Sequence, residues 1–286
     1  MITSLHVEII MIAILAAVTC CLPGVFLVLR GVAMMSDAIS HAILLGIVIM
    51  FLIVQQLNSP LLIFGATCAG VLTVVCTEMI IRSKRLKQDA AIGLIFPLFF
   101  SIGVILVSQY ARNVHLDVDM VLLGELAFAP FNRVFLYGID CGPYALWVMG
   151  AALLTNSAFV GFFYKELVIT TFDSTLATMT GFSPVVLYYA LMVVTSITAV
   201  ATFDAVGSIM VVALMITPAA TSYLLTKQVK RMIGLSVILA ICAAIFGYSA
   251  ACYADVSIAG SIASMTGVFF LFGLIISKKG GLKYNH

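Results

Sequence analysis

The sequence predicts an all-α fold, a polytopic transmembrane helical bundle with about eight or nine spans, and three observations support this prediction. Of the 286 residues, 63% are hydrophobic and only 9% are charged, against roughly a quarter in a typical soluble domain. Long apolar runs recur along the chain, and the basic residues gather at alternate connections between them. So few charges could not cover a soluble protein of this size. We therefore expect one transmembrane domain over residues 1–286.

The apolar runs give the positions of the spans. Each run reaches or approaches the roughly 20 residues that a helix needs to cross the hydrocarbon core. Nine spans are expected, with eight as the alternative, at residues 5–29, 31–55, 60–81, 92–110, 143–164, 184–203, 205–226, 231–252 and 257–277. The stretch 120–137 is also apolar but contains Glu125, Pro130 and Arg133. We interpret it as re-entrant or interfacial rather than spanning.

The basic residues predict the orientation, because short loops rich in Lys and Arg remain in the cytoplasm. Only Arg112 and Arg133 fall on the other side of the predicted bundle. The remaining 12 of the 14 basic residues follow odd-numbered spans: Arg30, Arg82, Lys84, Arg85, Lys87, Lys165, Lys227, Lys230, Arg231, Lys278, Lys279 and Lys283. This pattern predicts an outside N-terminus and a cytoplasmic C-terminus. The near-neutral net charge of +2 argues against a nucleic-acid partner.

Span two carries the most informative polar groups, Asp37 and His41. An ionisable side chain inside a span costs roughly 2.5–3.5 kcal/mol on insertion scales, so its presence calls for a reason. The two residues are four apart and share one helix face. Counted from Gly31 at about 1.5 Å per residue, they lie on the order of 9–15 Å deep.

A carboxylate oxygen and an imidazole nitrogen together suit Mn²⁺, Zn²⁺ or Fe²⁺ better than Ca²⁺ or Mg²⁺, which favour oxygen ligands alone. The pair therefore predicts a transition-metal site. The alternatives are a structural pair bonded to a neighbouring helix and a proton relay. Two ligands are few for a tight site, and a two-fold dimer would supply four. Asp204 and Glu125 are candidates along an access path, with solvated carboxylates at loop edges as the alternative.

Two further segments deviate from plain apolar spans. Pro218, within residues 216–222, predicts a kink that either moves or forms a static bend. Residues 165–183 lie at a cytoplasmic connection, where Asp173 or Ser174 can cap a short helix that Gly181 ends. Its apolar face would form a docking surface for a soluble motor subunit. The alternative is an interfacial helix that lies on the lipid surface. That face consists of Leu176, Met179 and Phe182.

Four blocks of sequence resemble the manganese/zinc/iron ABC permeases, the metal-ion permeases of the ABC-3 type. They occur in the order of that family, and the resemblance covers nearly the whole chain. The blocks are Arg30–Ala42, Gln88–Gly93, Phe172–Ala177 and Ala205–Ala220. The resemblance implies a bacterial cytoplasmic-membrane permease that works as a dimer. It also implies a cytoplasmic ATP-binding subunit and an extracytoplasmic metal-binding protein as partners.

The resemblance further implies that Asp37 and His41 carry a transported divalent metal ion, manganese first, with zinc or iron as alternatives, and that no cofactor is permanently bound. It implies that residues 165–183 couple the chain to the ATPase, through Glu166, Phe172, Asp173, Leu176 and Gly181. The sequence contains no G-x-x-x-x-G-K-[ST] loop. We therefore expect no enzyme here, with ATP hydrolysis in a partner. A proton-coupled secondary transporter that uses the same Asp–His pair is the alternative.

Overall fold

The computed structural model describes residues 2–56, 60–110, 126–136 and 139–279. These residues form ten helices: α1 Ile2–Leu29, α2 Met34–Val54, α3 Pro60–Arg82, α4 Gln88–Tyr110, α5 Tyr144–Phe162, α6 Tyr164–Phe172, α7 Ser174–Met179, α8 Pro184–Leu225, α9 Val229–Ala254 and α10 Ile258–Lys279. A 3-10 turn, Ala129–Phe131, precedes a small antiparallel hairpin of β1, Arg133–Leu136, and β2, Ile139–Pro143.

The predicted all-α polytopic fold is confirmed. Eight of the described helices, α1 to α5 and α8 to α10, are long and apolar enough to cross a membrane. The described part of the apolar stretch 120–137 forms no further spanning helix, because residues 126–136 contain the 3-10 turn and β1. Its other residues, including Glu125, lie outside the described ranges.

The helices form two packed groups that share α8. In the first, α1 packs against α8, α9 and α5, and in the second, α2 packs against α3, α4 and α8. Glycines permit the closest approaches, as is usual between membrane helices. A Cβ atom on Gly24 of α1 would lie 1.9 Å from the carbonyl oxygen of Met215, and one on Gly46 of α2 would lie 2.3 Å from that of Gly65.

Helix α8 is too long for a single crossing. Its 42 residues would extend about 63 Å at 1.5 Å per residue, twice the thickness of the hydrocarbon core. Gly207 has the one non-helical backbone conformation inside it, with φ 75° and ψ 165°. Pro218 lies within helical backbone. The break lies close to the boundary at residue 204 that the sequence predicted between spans 184–203 and 205–226, whereas the kink predicted at Pro218 is not accompanied by a non-helical backbone conformation.

The contacts of α8 with α1 show that the chain reverses direction at this break. In order along α8, they join Tyr188 to Arg30, Thr202 to Cys20, and Met215 to Gly24. Helix α8 therefore runs from the end of α1 towards its middle, and then returns towards the same end. Residues 184–206 and 208–225 form two antiparallel passes. With these two passes counted separately, the eight long helices of the described residues give nine passes, where hydropathy predicted nine spans with eight as the alternative.

The end of the bundle to which α8 returns is termed the basic end, because the basic connections between helices lie there. Here α1 and α3 end and α2 and α4 begin, and the Gln88 side-chain amide donates to the carbonyl of Gly31 at 3.2 Å. Helices α6 and α9 also meet here, with the ammonium of Lys230 5.7 Å from the centre of the Tyr164 ring. The α5–α8 connection, which contains α6 and α7, therefore lies against the ends of the spanning helices.

Candidate metal site

Helix α2 begins after a sharp corner at the basic end. Gly31 has φ 68°, a left-handed conformation that glycine adopts without steric cost. The helix begins at Met34, three residues later than the sequence predicted. Asp37 therefore lies in the first turn and His41 one turn further. At about 1.5 Å per residue they are roughly 5–10 Å above the first helical residue, and thus shallower than expected from Gly31.

The two predicted metal ligands lie side by side on α2. The Nε2 atom of His41 is 3.4 Å from Oδ1 of Asp37, with 27% of the His41 side chain and 31% of the Asp37 side chain exposed. Two donor atoms bound to one metal in a tetrahedral shell, at bond lengths of about 2.1 Å, are about 3.4 Å apart. The observed separation is therefore suited to a shared cation, and both side chains remain open on one side.

Aromatic rings of α4 hold the imidazole in place. The ring of His41 stacks on Phe96 with centroids 5.5 Å apart, and it meets the edge of Phe100 at 5.6 Å. On the α2 side, the serine hydroxyls next to the pair donate to carbonyls of their own helix. Ser40 Oγ, for example, donates to the carbonyl of Ser36 at 2.9 Å. These contacts orient His41 Nε2 towards the carboxylate of Asp37.

The other acidic candidates are not brought to this pair. No group of three or more His, Cys, Asp or Glu side chains capable of holding a metal occurs within the described residues. Asp204 is exposed on α8, three residues before the break at Gly207. Glu125 lies outside the described residues. The access path thus stays a prediction, and one copy of the described chain contributes two ligands.

The short helix predicted within residues 165–183 is present as α7, Ser174–Met179. Oδ1 of Asp173 accepts hydrogen bonds from the backbone N–H of Thr175 at 3.0 Å and of Leu176 at 2.9 Å, which is the geometry of an N-cap. Gly181, with φ 86°, follows the end of the helix. Apolar side chains around α7 face solvent in the described chain, with exposed fractions of 65% for Phe172, 49% for Leu176 and 81% for Met179.

Glu166 belongs to α6, which precedes this helix. Its Oε2 atom is buried and has no hydrogen-bond partner among the described residues. The carboxylate therefore does not belong to the exposed apolar surface formed around α7.

Sequence reasoning missed two contacts that organise the ends of the bundle. At the basic end, Arg30 donates to Thr170 and Thr171 of α6. At the opposite end, Arg133 of β1 donates to both carboxylate oxygens of Glu8 at 2.7 and 2.8 Å, and also to Asp140 of β2. Arg30 and Thr170 are 140 positions apart, and Arg133 and Glu8 are 125 apart. Partners at such separations leave no periodic signal in a single sequence.

Hydrogen bonds around Arg133 shift the pKa of two groups, Asp140 and Arg133 itself. The N–H of Gly142, followed by the guanidinium of Arg133, holds the pKa of the Asp140 carboxyl below its ordinary value. Hydrogen bonds to Asp140 and then Glu8 raise the pKa of Arg133. The ionised forms of Asp140 and Arg133 are thus favoured, and the hydrogen bonds from Arg133 to Glu8 link the hairpin to α1.

Comparison with known proteins gives matches over nearly the whole chain. The family model described as the ABC 3 transport family matches residues 3–277. The zinc transport system membrane protein TroD of Treponema pallidum is 47% identical over 96% of this chain and 75% of its own length. The manganese transport system membrane protein MntD of Bacillus subtilis is 41% identical over 98% of this chain and 94% of its own.

Solved structures include a similar fold. PsaBC from Streptococcus pneumoniae, determined in complex with Fab, matches with a TM-score of 0.80 and 28% sequence identity, over 98% of this chain and 94% of that one. A putative metal-chelate type ABC transporter in an inward-facing conformation matches with a TM-score of 0.68 at 15% identity, and this second likeness concerns the fold alone.

Proposed function

This chain belongs to the ABC 3 transport family, and we propose that it is the membrane-spanning permease of an ATP-driven importer of Mn²⁺ or Zn²⁺. Two relatives support the choice of metals, since one is named a zinc and the other a manganese transport system membrane protein. In this proposal the chain lies in the bacterial cytoplasmic membrane. Following the positive-inside rule, its basic end and its C-terminus face the cytoplasm.

The observation that carries the proposal is the Asp37–His41 pair, with its donor atoms 3.4 Å apart on α2. The metal ion is the transported substrate, and no cofactor is permanently bound. A second permease, either an identical copy or a paralogue, would contribute an equivalent pair across a two-fold axis. Four protein ligands then suffice for a tetrahedral shell, and water can complete a larger one.

ATP hydrolysis belongs to a partner in this proposal. The sequence has no G-x-x-x-x-G-K-[ST] loop for nucleotide phosphates. A cytoplasmic ATP-binding subunit docks on the apolar residues around α7, and Asp173 holds that helix in shape. An extracytoplasmic metal-binding protein delivers the ion at the opposite end. ATP-driven movement of α6 and α7 then alternates access to the Asp37–His41 pair between the two sides.

Transport by the reconstituted complex tests this function. Proteoliposomes containing the permease, its ATPase and the metal-loaded binding protein should accumulate ⁵⁴Mn²⁺ or ⁶⁵Zn²⁺ only with ATP. Uptake should continue when a protonophore collapses the proton gradient. ATP-independent uptake that the protonophore abolishes would instead establish the proton-coupled alternative.

Substitutions test the site within the same assay. Asp37→Asn and His41→Ala should abolish metal uptake while the complex still assembles, because the first replaces the carboxylate with a neutral amide and the second removes the imidazole. Asp255→Asn is the matched control, since Asp255 is exposed at the end of α9 with φ 54°, a backbone conformation that asparagine also adopts. Normal uptake by both site variants would refute the assignment.

A further inference from the structure

Arg30 connects α6, which lies in the proposed coupling segment 165–183, to the corner at Gly31 that leads into α2. Its Nη2 atom donates to Oγ1 of Thr170 at 2.8 Å, and its Nε atom donates to Oγ1 of Thr171 at 3.1 Å. Both threonines are on α6, the helix that runs into α7. The guanidinium also lies 6.0 Å from the centre of the Tyr188 ring, at the start of α8. The Arg30 side chain, in the connection between α1 and α2, thus contacts two further elements at the basic end, α6 and α8.

The connection from Arg30 to α2 is short and fixed. The carbonyl of Gly31 accepts the side-chain amide of Gln88, and the N–H of Val32 donates to the carbonyl of Leu27 at 2.9 Å. Helix α2 begins at Met34, and Asp37 lies in its first turn. Because the connection is short and hydrogen-bonded, a displacement of Arg30 should also displace the start of α2.

The polar contacts of Arg30 are more specific than orientation in the membrane requires. A lysine satisfies the positive-inside rule equally well. The planar fork of an arginine can donate to two acceptors at once, which an ammonium on a flexible stem does not reproduce. Partial burial lowers the pKa of Arg30, yet a guanidinium remains protonated in proteins. Its charge is held at the junction through two hydrogen bonds and one aromatic ring.

We propose that Arg30 is a positioning residue that transmits movement of the α6–α7 segment to α2, and thereby couples ATP hydrolysis to movement of the metal. The proposal rests on the function given above. When the ATPase displaces α7, α6 moves with it, and the two threonine hydroxyls pull or release the guanidinium of Arg30. The corner at Gly31 then shifts the first turn of α2 that carries Asp37.

The test measures coupling rather than activity alone. Purified complexes of permease, ATPase and Mn²⁺-loaded binding protein are reconstituted, and both ATP hydrolysis and ⁵⁴Mn²⁺ uptake are recorded. Arg30→Lys should raise the ATP consumed per Mn²⁺ imported on the order of tenfold, which is within the usual range of coupling between sites. Arg82→Lys is the matched control, because Arg82 contacts Glu78 on its own helix and should leave the ratio unchanged.

A second pair of variants leaves Arg30 intact and removes its acceptors. Thr170→Val combined with Thr171→Val keeps the side-chain shape but not the hydroxyls, and it should raise the same ratio. Thr170→Ser with Thr171→Ser should restore the ratio of the wild type. Adding Arg30→Lys to the double valine variant should have no further effect, since the contact is already absent.

The outcomes separate this inference from the proposed function. If the wild-type complex does not import Mn²⁺ or Zn²⁺ with ATP, the proposed function fails and the inference fails with it. If the wild type imports metal but both sets of variants keep its ATP-to-metal ratio, the inference alone is overturned. Equal losses of hydrolysis and uptake would indicate a purely structural role and also overturn it.

Discussion

The imidazole of His41 stacks on the ring of Phe96, with centroids 5.5 Å apart and planes inclined by 29°. Helix α4 thus supplies the surface against which the candidate ligand of α2 is held. The carboxylate of Asp37 lies on the free side of the same imidazole, 3.4 Å from Nε2. The relative position of α2 and α4 therefore sets the direction of the ligand atom.

Replacing Phe96 should weaken metal transport without removing a ligand. An aromatic pair contributes about 0.5–1.5 kcal/mol beyond its buried area, so Phe96→Ala should raise the KM for Mn²⁺ by about two- to tenfold. Uptake measured against Mn²⁺ concentration checks this value. Phe64→Ala is the control, because Phe64 on α3 is 63% exposed. An unchanged KM in Phe96→Ala would contradict an orienting role for this ring.

Much of the fold follows from the sequence, because lipid imposes strong constraints on composition. Hydropathy gave nine passes, and the two passes within α8 were separated because the charged Asp204 interrupts the apolar run. That boundary lies three residues from the break at Gly207, whereas Pro218 keeps a helical backbone for a local reason. Proline is tolerated in membrane helices when nearby groups satisfy the backbone, and hydroxyls surround Pro218, with Ser236 Oγ 3.5 Å from its carbonyl. The backbone conformation of Gly207 has no comparable signature.

Only those parts of the candidate site that depend on residues close together in the sequence were predicted. Two polar residues four apart necessarily share a helix face, so Asp37 and His41 were found together. Phe96 and Arg30 acquire their roles through partners on other helices, and a single sequence does not specify which distant residues meet. The cap at Asp173 was predictable because its acceptor and donors are two and three positions apart.

Gly207→Ala should destabilise the reversal within α8. Its φ of 75° and ψ of 165° fall in a region that is essentially restricted to glycine, and residues held there cost of the order of 1–3 kcal/mol. Thermal unfolding of the purified protein should show a lower midpoint. Gly161→Ala in α5 is the control, because no atom lies within 4 Å of the added Cβ. Equal midpoints for the two variants would argue against strain at Gly207.

Arg133→Gln should raise the pKa of Asp140 towards its ordinary value of 3.8 without reaching it. The guanidinium is lost, but the hydrogen bond from the Gly142 N–H at 2.9 Å remains. Since the folded-state pKa is lowered, the stabilisation from Asp140 is present above pH 3.8 and is lost as pH falls through the folded value. Carbon-13 titration of labelled aspartates measures this pKa, and no change in it would exclude Arg133 as a cause.

Asp173→Ala should weaken the docking of the ATPase, because α7 loses its N-cap. A capping side chain contributes about 0.5–2 kcal/mol, and α7 has only six residues, so little else holds its first turn. Asp173→Asn is the matched variant, since the amide oxygen can accept from the same N–H groups of Thr175 and Leu176. The dissociation constant between permease and ATPase in detergent should rise for alanine and stay near wild type for asparagine. Equal weakening by both variants would assign the effect to the charge of Asp173. If neither variant weakened binding, the N-cap would not contribute to the docking of the ATPase.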